Sequence, residues 1–301
     1  MNSYLTYLYL LTPLHTGGSA DEGNLMGIAR EVHTEFPYLP SSSLRGKIRS
    51  QLEANYQAEA NILFGNKIEG AQQPTEGAVW FADASLLLFP IASFSHQFLW
   101  ITCPLWLSRW NRWLQNEQLE PLIQNWRMLL NNPAPNGKKA ICSLTGQEIY
   151  LQGAILKSRD IEPIAKNAAC WAEFDKLPNG DGILNLKDKL IVMSDADCGT
   201  FVEIGLQREV RIALEPGKKT AAEGSFRSEE AIPSEAVLFF PWAFKTVKDT
   251  APTQKIRAAL TELLGDRVQY RIQFGGLEGL GRGWTDAKTV NLSPVKSQGE
   301  S

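Results

Sequence analysis

From Tyr4 to Leu11 apolar and aromatic side chains run almost unbroken, and Thr12-Pro13 stops them. A short apolar run closed by a proline predicts a buried strand. Over His15–Glu35 the periodicity disappears. Glycines, small residues and charges predominate, the composition of a long loop, and structureless loops of about 20 residues in compact domains are usually functional or disordered. Apolar or small positions then recur at Leu44, Ile48, Leu52 and Tyr56, which predicts a helix over Leu44–Ala58 with Ser41-Ser42-Ser43 as its N-caps. Val79–Phe81 and Leu86–Phe89 form a predicted strand pair, and Leu99–Cys103 is another strand. Leu105–Leu130 reads as a helix with Trp106, Trp110, Trp113 and Trp126 on its inner side, broken at Pro133–Asn136.

Residues 137–200 mix short apolar runs with turn clusters such as Pro178-Asn179-Gly180-Asp181-Gly182 and yield no clear element. Beyond them the pattern gives a strand at Val210–Leu214, a protruding hairpin tip at Glu215–Arg227, a strand at Ala236–Phe240 and a helix at Thr253–Leu264. A final strand at Val268–Phe274 runs straight into the glycine-rich Gly275–Gly283. The order predicts an α+β fold: a split βαβ, ferredoxin-like (RRM-like) core with large insertions, in one domain over residues 1–293 followed by a polar tail at 294–301. Such a sheet is a common RNA platform, although fold alone does not assign function.

Charge narrows that picture. With 30 Lys and Arg against 33 Asp and Glu, the net charge of −3 counts against a nonspecific nucleic-acid binder with a broad basic surface, so any RNA footprint must be local. Cys103, Cys142, Cys170 and Cys198 show no CxxC spacing and none adjoins a histidine. This disfavours a disulfide framework or a zinc site and fits a reducing cytosol. Met1–Leu11 lacks a basic start and a small-residue cleavage site, and no apolar run is long enough for a membrane span. A cytoplasmic protein without membrane contact is expected.

Three segments carry candidate chemistry. Ser41-Ser42-Ser43 followed by Arg45, Lys47 and Arg49 sets hydroxyls and cations at a helix start, where unpaired N–H groups favour phosphate. The alternative is an ordinary cap with a solvated basic face. Gly275-Gly276-Leu277-Glu278-Gly279-Leu280-Gly281-Arg282-Gly283 contains GxGxG, but no helical pattern follows, so a dinucleotide fingerprint is rejected. Its backbone N–H groups could approach a polyphosphate chain, or its glycines could simply serve turns. The 15–35 loop holds His15 and His33 with Asp21, Glu22, Arg30 and Glu31. RNA strand cleavage needs a base or a metal, and these side chains suit that work, unless the histidines only fix the loop.

The wording of these segments resembles the RAMP superfamily of CRISPR RNA-binding proteins, and within it the repeated backbone subunit of type III-B (Cmr-type) effector complexes. The matching text is LYLLTPLHTGG at 8–18, IAREVHTEFPYLPSSSLRGKIR at 28–49, FG at 64–65, GAVWFADASLLLFPIAS at 77–93, EGSFRSEEAIP at 223–233 and IQFGGLEGLGRGW at 272–284. The resemblance implies copies stacked along a guide RNA, with target RNA paired to it and other effector subunits as partners. It implies RNA contacts at Ser42, Ser43, Arg45, Lys47, Arg49, Gly275, Gly276, Gly281 and Arg282. A thumb-like hairpin over about 215–230 would wedge between base pairs, with Lys218, Lys219 and Phe226 on it. The family cleaves target RNA with one loop Asp and a divalent metal such as Mg, following Gly, two apolar residues, Asp, any residue, Pro, an apolar residue, any residue, Arg-Glu. Aligned on Arg30-Glu31, the Asp position falls on Leu25 and the Pro on Gly27. RNA binding without this cleavage, and without a tightly bound cofactor, is therefore the leading expectation. One alternative is an active endoribonuclease using Asp21, with His15 or His33 as helper, the loop being free to shift its register. Another is a stand-alone nuclease that processes guide precursors.

Overall fold

The computed structural model describes residues 3–18, 21–22, 25–67, 73, 75–133, 137–144, 146, 148–178, 184–212, 217, 220, 226–246, 248, 250–265 and 271–292. Lys218 and Lys219 lie outside them.

The strands are β1 (Ser3–Leu10), β2 (Asp21–Glu22), β3 (Leu25–Met26), β4 (Tyr38–Leu39), β5 (Val79–Phe81), β6 (Ala84–Ser93), β7 (Gln97–Thr102), β8 (Ala140–Cys142), β9 (Ile149–Tyr150), β10 (Ile155–Leu156), β11 (Ile161–Pro163), β12 (Leu190–Met193), β13 (Gln207–Arg211), β14 (Arg227–Ala231), β15 (Val237–Phe244), β16 (Ile272–Gln273) and β17 (Trp284–Asn291). The α-helices are α1 (Ser41–Glu53), α2 (Gln57–Phe64), α3 (Pro104–Leu114), α4 (Leu119–Leu130), α5 (Cys170–Phe174), α6 (Asp195–Gly205) and α7 (Ala251–Leu263). None is long and apolar enough to cross a membrane.

The fold is mixed α+β around one large sheet ordered β11-β8-β12-β7-β6-β15-β1-β17-β16, with β4 and β5 attached to β6 and β15. Its centre is antiparallel: β1 lies between β15 and β17, and β6 flanks β15. Alternation along β1 explains its nearly unbroken apolar run. Leu8 and Leu10 enter the core shared with α1, α2 and α7, while Leu5, Tyr7 and Tyr9 enter the core shared with α3, α4 and α5. A strand covered on both faces needs apolar residues at every position.

Several sequence expectations change. Val79–Phe81 and Leu86–Phe89 do not pair with each other; β5 and β6 both pair with β15 and are separated at Ala82-Asp83. The helix expected over Leu105–Leu130 is two, because Gln115 takes a left-handed φ of 53° between α3 and α4. Trp106, Trp110 and Trp126 are buried, but Trp113 remains 38% exposed. The segment 137–200 supplies β8, β11 and β12 to the large sheet. The last strand is β17, beyond the glycine-rich segment. Its inward positions are Thr285 and Ala287, which carry little apolar signal.

The 15–35 segment is not structureless. β2 pairs antiparallel with β3, the Gly18 N–H donates to the Gly27 carbonyl at 2.9 Å, and β3 runs parallel to β14. A small sheet ordered β13-β14-β3-β2 results.

Candidate RNA-binding surface

The start of α1 is built differently from a serine cap. Pro40 is the N-cap, and its carbonyl accepts the Ser43 and Leu44 N–H groups at 3.0 and 3.1 Å. The three serines therefore occupy the first turn, and no side chain of the cap residue closes it. Asp83 closes it instead: its Oδ1 accepts the Ser41 N–H at 2.6 Å. Asp83 reaches this position because the β5–β6 edge breaks there, opposite Pro241, which has no N–H to offer a ladder.

The three expected phosphate-binding cations are all engaged within the chain. Arg45 donates to the Val79 carbonyl at 3.1 Å and the Phe64 carbonyl at 2.7 Å, with its guanidinium over the Phe64 ring. Burial, with Arg49 nearby, lowers its pKa below the usual guanidinium value. Arg49 binds Glu53 at 2.7 Å and the Asn61 side chain at 2.8 Å. Lys47 reaches Glu278 at 2.8 Å, which joins α1 directly to the glycine-rich loop. On the flank of α1 that carries Arg45, a cleft of about 490 Å³ is lined by Ser41, Ser42, Arg45, Trp80, Phe81 and Lys245, with Glu76 paired to Lys245.

The glycine-rich loop is pinned through its own backbone. Phe274 N–H donates to the Gly283 carbonyl, Gly276 N–H to the His15 carbonyl and Gly283 N–H to the Pro13 carbonyl, each at 2.8 Å. Gly276 and Gly283 therefore spend their N–H groups on the first loop and not on an open cradle. A 3-10 turn, Glu278–Leu280, forms the exposed tip. His15 is 5% exposed, and its Nδ1–H donates to the Glu230 carbonyl at 2.8 Å. Its role here is to hold two loops together. His33 sits apart in an exposed turn.

Arg282, expected to meet RNA, is buried. Its guanidinium binds Glu229 at 2.5 Å and Glu209 at 2.6 Å. Glu229 also holds Arg211 at 3.0 Å. One residue on, Glu230 holds Arg30 at 2.9 Å and Arg208 at 3.0 Å. Successive strand residues point to opposite faces, so Glu229 clamps the glycine-rich loop from one side of β14 and Glu230 clamps the Arg30 segment from the other. The sequence reading passed over both. Two adjacent acids entering the apolar run Ala231-Ile232 were the available signal, since a buried carboxylate requires a cationic partner.

Register also decides the position of the acids. Asp21 stands opposite Met26, and Glu22 stands opposite Leu25. In this register Asp21 and Leu25 do not face each other across the hairpin. Leu25 itself offers a metal no donor atom. Among the described residues no group of three or more His, Cys, Asp or Glu could hold a metal ion. Immediately before β14, Phe226 is 49% exposed next to the Arg211–Arg227 strand pair, where the chain leaves and rejoins the small sheet.

The chain belongs to the RAMP superfamily, whose family model matches residues 7–286. It is 27% identical to the CRISPR system Cmr endoribonuclease Cmr4 of Pyrococcus furiosus, across 99% of this chain and 98% of that protein. It is 22% identical to the CRISPR system CMR subunit Cmr4 of Saccharolobus solfataricus, across 95% and 96%. Its fold matches a chain of the type III-B Cmr-beta complex bound to cognate target RNA, with a TM-score of 0.71, 19% identity and coverage of 95% and 96%. It also matches oligomeric Cmr4 from Pyrococcus furiosus, with a TM-score of 0.64, 20% identity and coverage of 97% and 99%.

Proposed function

We propose that this chain is a guide-RNA-binding backbone subunit of a type III-B CRISPR interference complex, stacked with other copies of itself and positioning target RNA paired to the guide. The observation that carries the reading is the Lys47–Glu278 junction, which ties α1 to the glycine-rich loop, while on another flank of the same helix start Arg45 lines a cleft with Lys245. The full-length likeness to two Cmr4 proteins supports it. On this reading β6-β15-β1-β17 with α1 and α7 are the ferredoxin-like core, and the excursion between β13 and β14 is the thumb. The protein works in the cytosol and binds no cofactor tightly.

RNA affinity of the full chain, measured across a salt series on a guide-like single strand, tests the grip. The double change Arg45→Ala and Lys47→Ala is expected to weaken binding and to flatten the salt slope by about 0.7 per lost phosphate contact. An unchanged slope would place the guide elsewhere.

Target cleavage by this subunit is not expected, because Leu25 can neither bind a metal nor move a proton. A second reading is an active endoribonuclease in which Asp21, or its neighbour Glu22 in the strand paired with β3, supplies the acid. The assembled complex, given target RNA and Mg²⁺, discriminates the two. Cuts at regular spacing that vanish in Glu22→Ala or Asp21→Ala would establish an active endoribonuclease using that acid. Buried His15 weighs against the stand-alone processing reading; repeat-specific cuts in precursor RNA by the chain alone would restore it.

A further inference from the structure

The packing of α3 leaves one face unexplained. Trp106, Leu107 and Trp110 fill the core, whereas Arg109, Arg112 and Trp113 line a separate cleft of about 510 Å³ over Asp83 and Ser85. Arg109 is held by Glu31 at 2.7 Å. Arg112 is exposed and has no side-chain partner among the described residues. Trp113 leans on Trp80 with ring centroids 6.1 Å apart and planes inclined by 42°.

Trp80 also lines the cleft at the start of α1. The two indoles therefore form the partition between two neighbouring clefts, one containing Arg45 and Lys245, the other Arg112. Asp83, in the lining of the second cleft, accepts the Ser41 N–H through Oδ1. Cations for successive phosphates, separated by flat aromatic surface for a base, are the elements that bind single-stranded nucleic acid without reading its sequence. A volume of this order admits a nucleotide.

We propose that Trp113, supported by Trp80 and flanked by Arg112, is a stacking site for an unpaired base of a single RNA strand that continues beyond the α1 cleft. The proposal rests on the RNA-binding reading above and extends its footprint to the second face of α1's N-terminus. An acidic protein surface is the competing occupant. RNA is favoured because Trp80, on which Trp113 leans, also lines the cleft already assigned to RNA, and because an unpaired guanidinium in the same cleft as an exposed indole suits a phosphate next to a stacked base.

The test uses the full chain with two labelled strands of equal length: oligouridine, and an abasic ribose-phosphate strand. Trp113→Ala should weaken oligouridine binding about tenfold, the order of one lost base stack, and leave the abasic strand unchanged. Trp113→Phe should recover most of the loss, which separates stacking from misfolding. Oligouridine carrying 4-thiouridine should crosslink to the peptide containing Trp113. Equal binding by Trp113→Ala and the parent, or equal weakening on both strands, overturns the proposal. So does a Trp113→Ala variant with normal RNA affinity but altered oligomer mass, which would make the cleft a protein contact. If the parent binds neither strand, the RNA reading itself fails. If Arg45→Ala weakens binding and Trp113→Ala does not, only the stacking site is lost.

Discussion

Gly283→Ala is expected to cost about 3 kcal/mol or more, while Gly279→Ala, four residues away in the same loop, stays within about 0.5 kcal/mol of the parent. Gly283 has a φ of +77°, and a Cβ there would overlap the Phe274 carbonyl oxygen and lie 3.3 Å from Leu14 Cδ1. The left-handed conformation alone costs a non-glycine residue about 1–2 kcal/mol. The clash adds to this because the Phe274 N–H donates to the Gly283 carbonyl and the Gly283 N–H donates to the Pro13 carbonyl, which fixes the two backbones. Gly281 shares the conformation, with a φ of +74°, but has nothing within 4 Å, so Gly281→Ala should show only the conformational cost. Gly279 has neither restriction. Thermal melting should rank the variants in that order. The Gly283 shift should be at least about 6 °C, taking about 2 °C per kcal/mol for a chain of this size. Guide-like RNA affinity should fall with Gly283→Ala, because the loop would leave its place beside Lys47. Equal shifts for Gly279→Ala and Gly283→Ala would mean that the loop is not held as described.

The contrast among these glycines shows what could be read from the sequence. Composition identified the loop and the resemblance assigned it to RNA, but neither could tell glycines required by backbone crowding from those standing in open space. The buried helix α1 was legible because Leu44, Ile48 and Leu52 recur at helical spacing. β17 was not, because threonine and alanine fill its inward positions. The hairpin at Asp21–Met26 was hidden because its register depends on β14, more than two hundred residues away in the chain. The cations were legible as a cluster and misread in their partners. Lys47 does reach the glycine-rich loop, whereas Arg45 turns to the Phe64 and Val79 carbonyls and Arg282 turns inward, since only the fold brings these partners to meet them.

Arg282→Met is accordingly expected to act through the position of the loop and not through a lost phosphate contact. Removing one partner of a buried ion pair costs about 3–5 kcal/mol. Here the remaining carboxylates are shared with Arg211 and, at Glu209, partly reached by solvent, so the loss should fall toward the lower end. Acid titration gives an independent signature. The bond from Arg282, outweighing the effect of burial, holds Glu209 below the usual carboxylate pKa. A depressed pKa in the folded state contributes stability above the unfolded value of about 4.3, and this is lost as pH falls through the folded pKa. The stability gap between parent and Arg282→Met should therefore be widest at neutral pH and narrow below about pH 4. RNA binding then separates positioning from contact. Displacement of the loop lowers affinity while the salt slope stays as in the parent; loss of a direct phosphate contact would reduce the slope by about 0.7 on a single strand. A reduced slope together with the expected pH-dependent stability gap in the free chain would show that Arg282 leaves Glu229 to meet the RNA, and that the clamp from β14 opens when guide is bound.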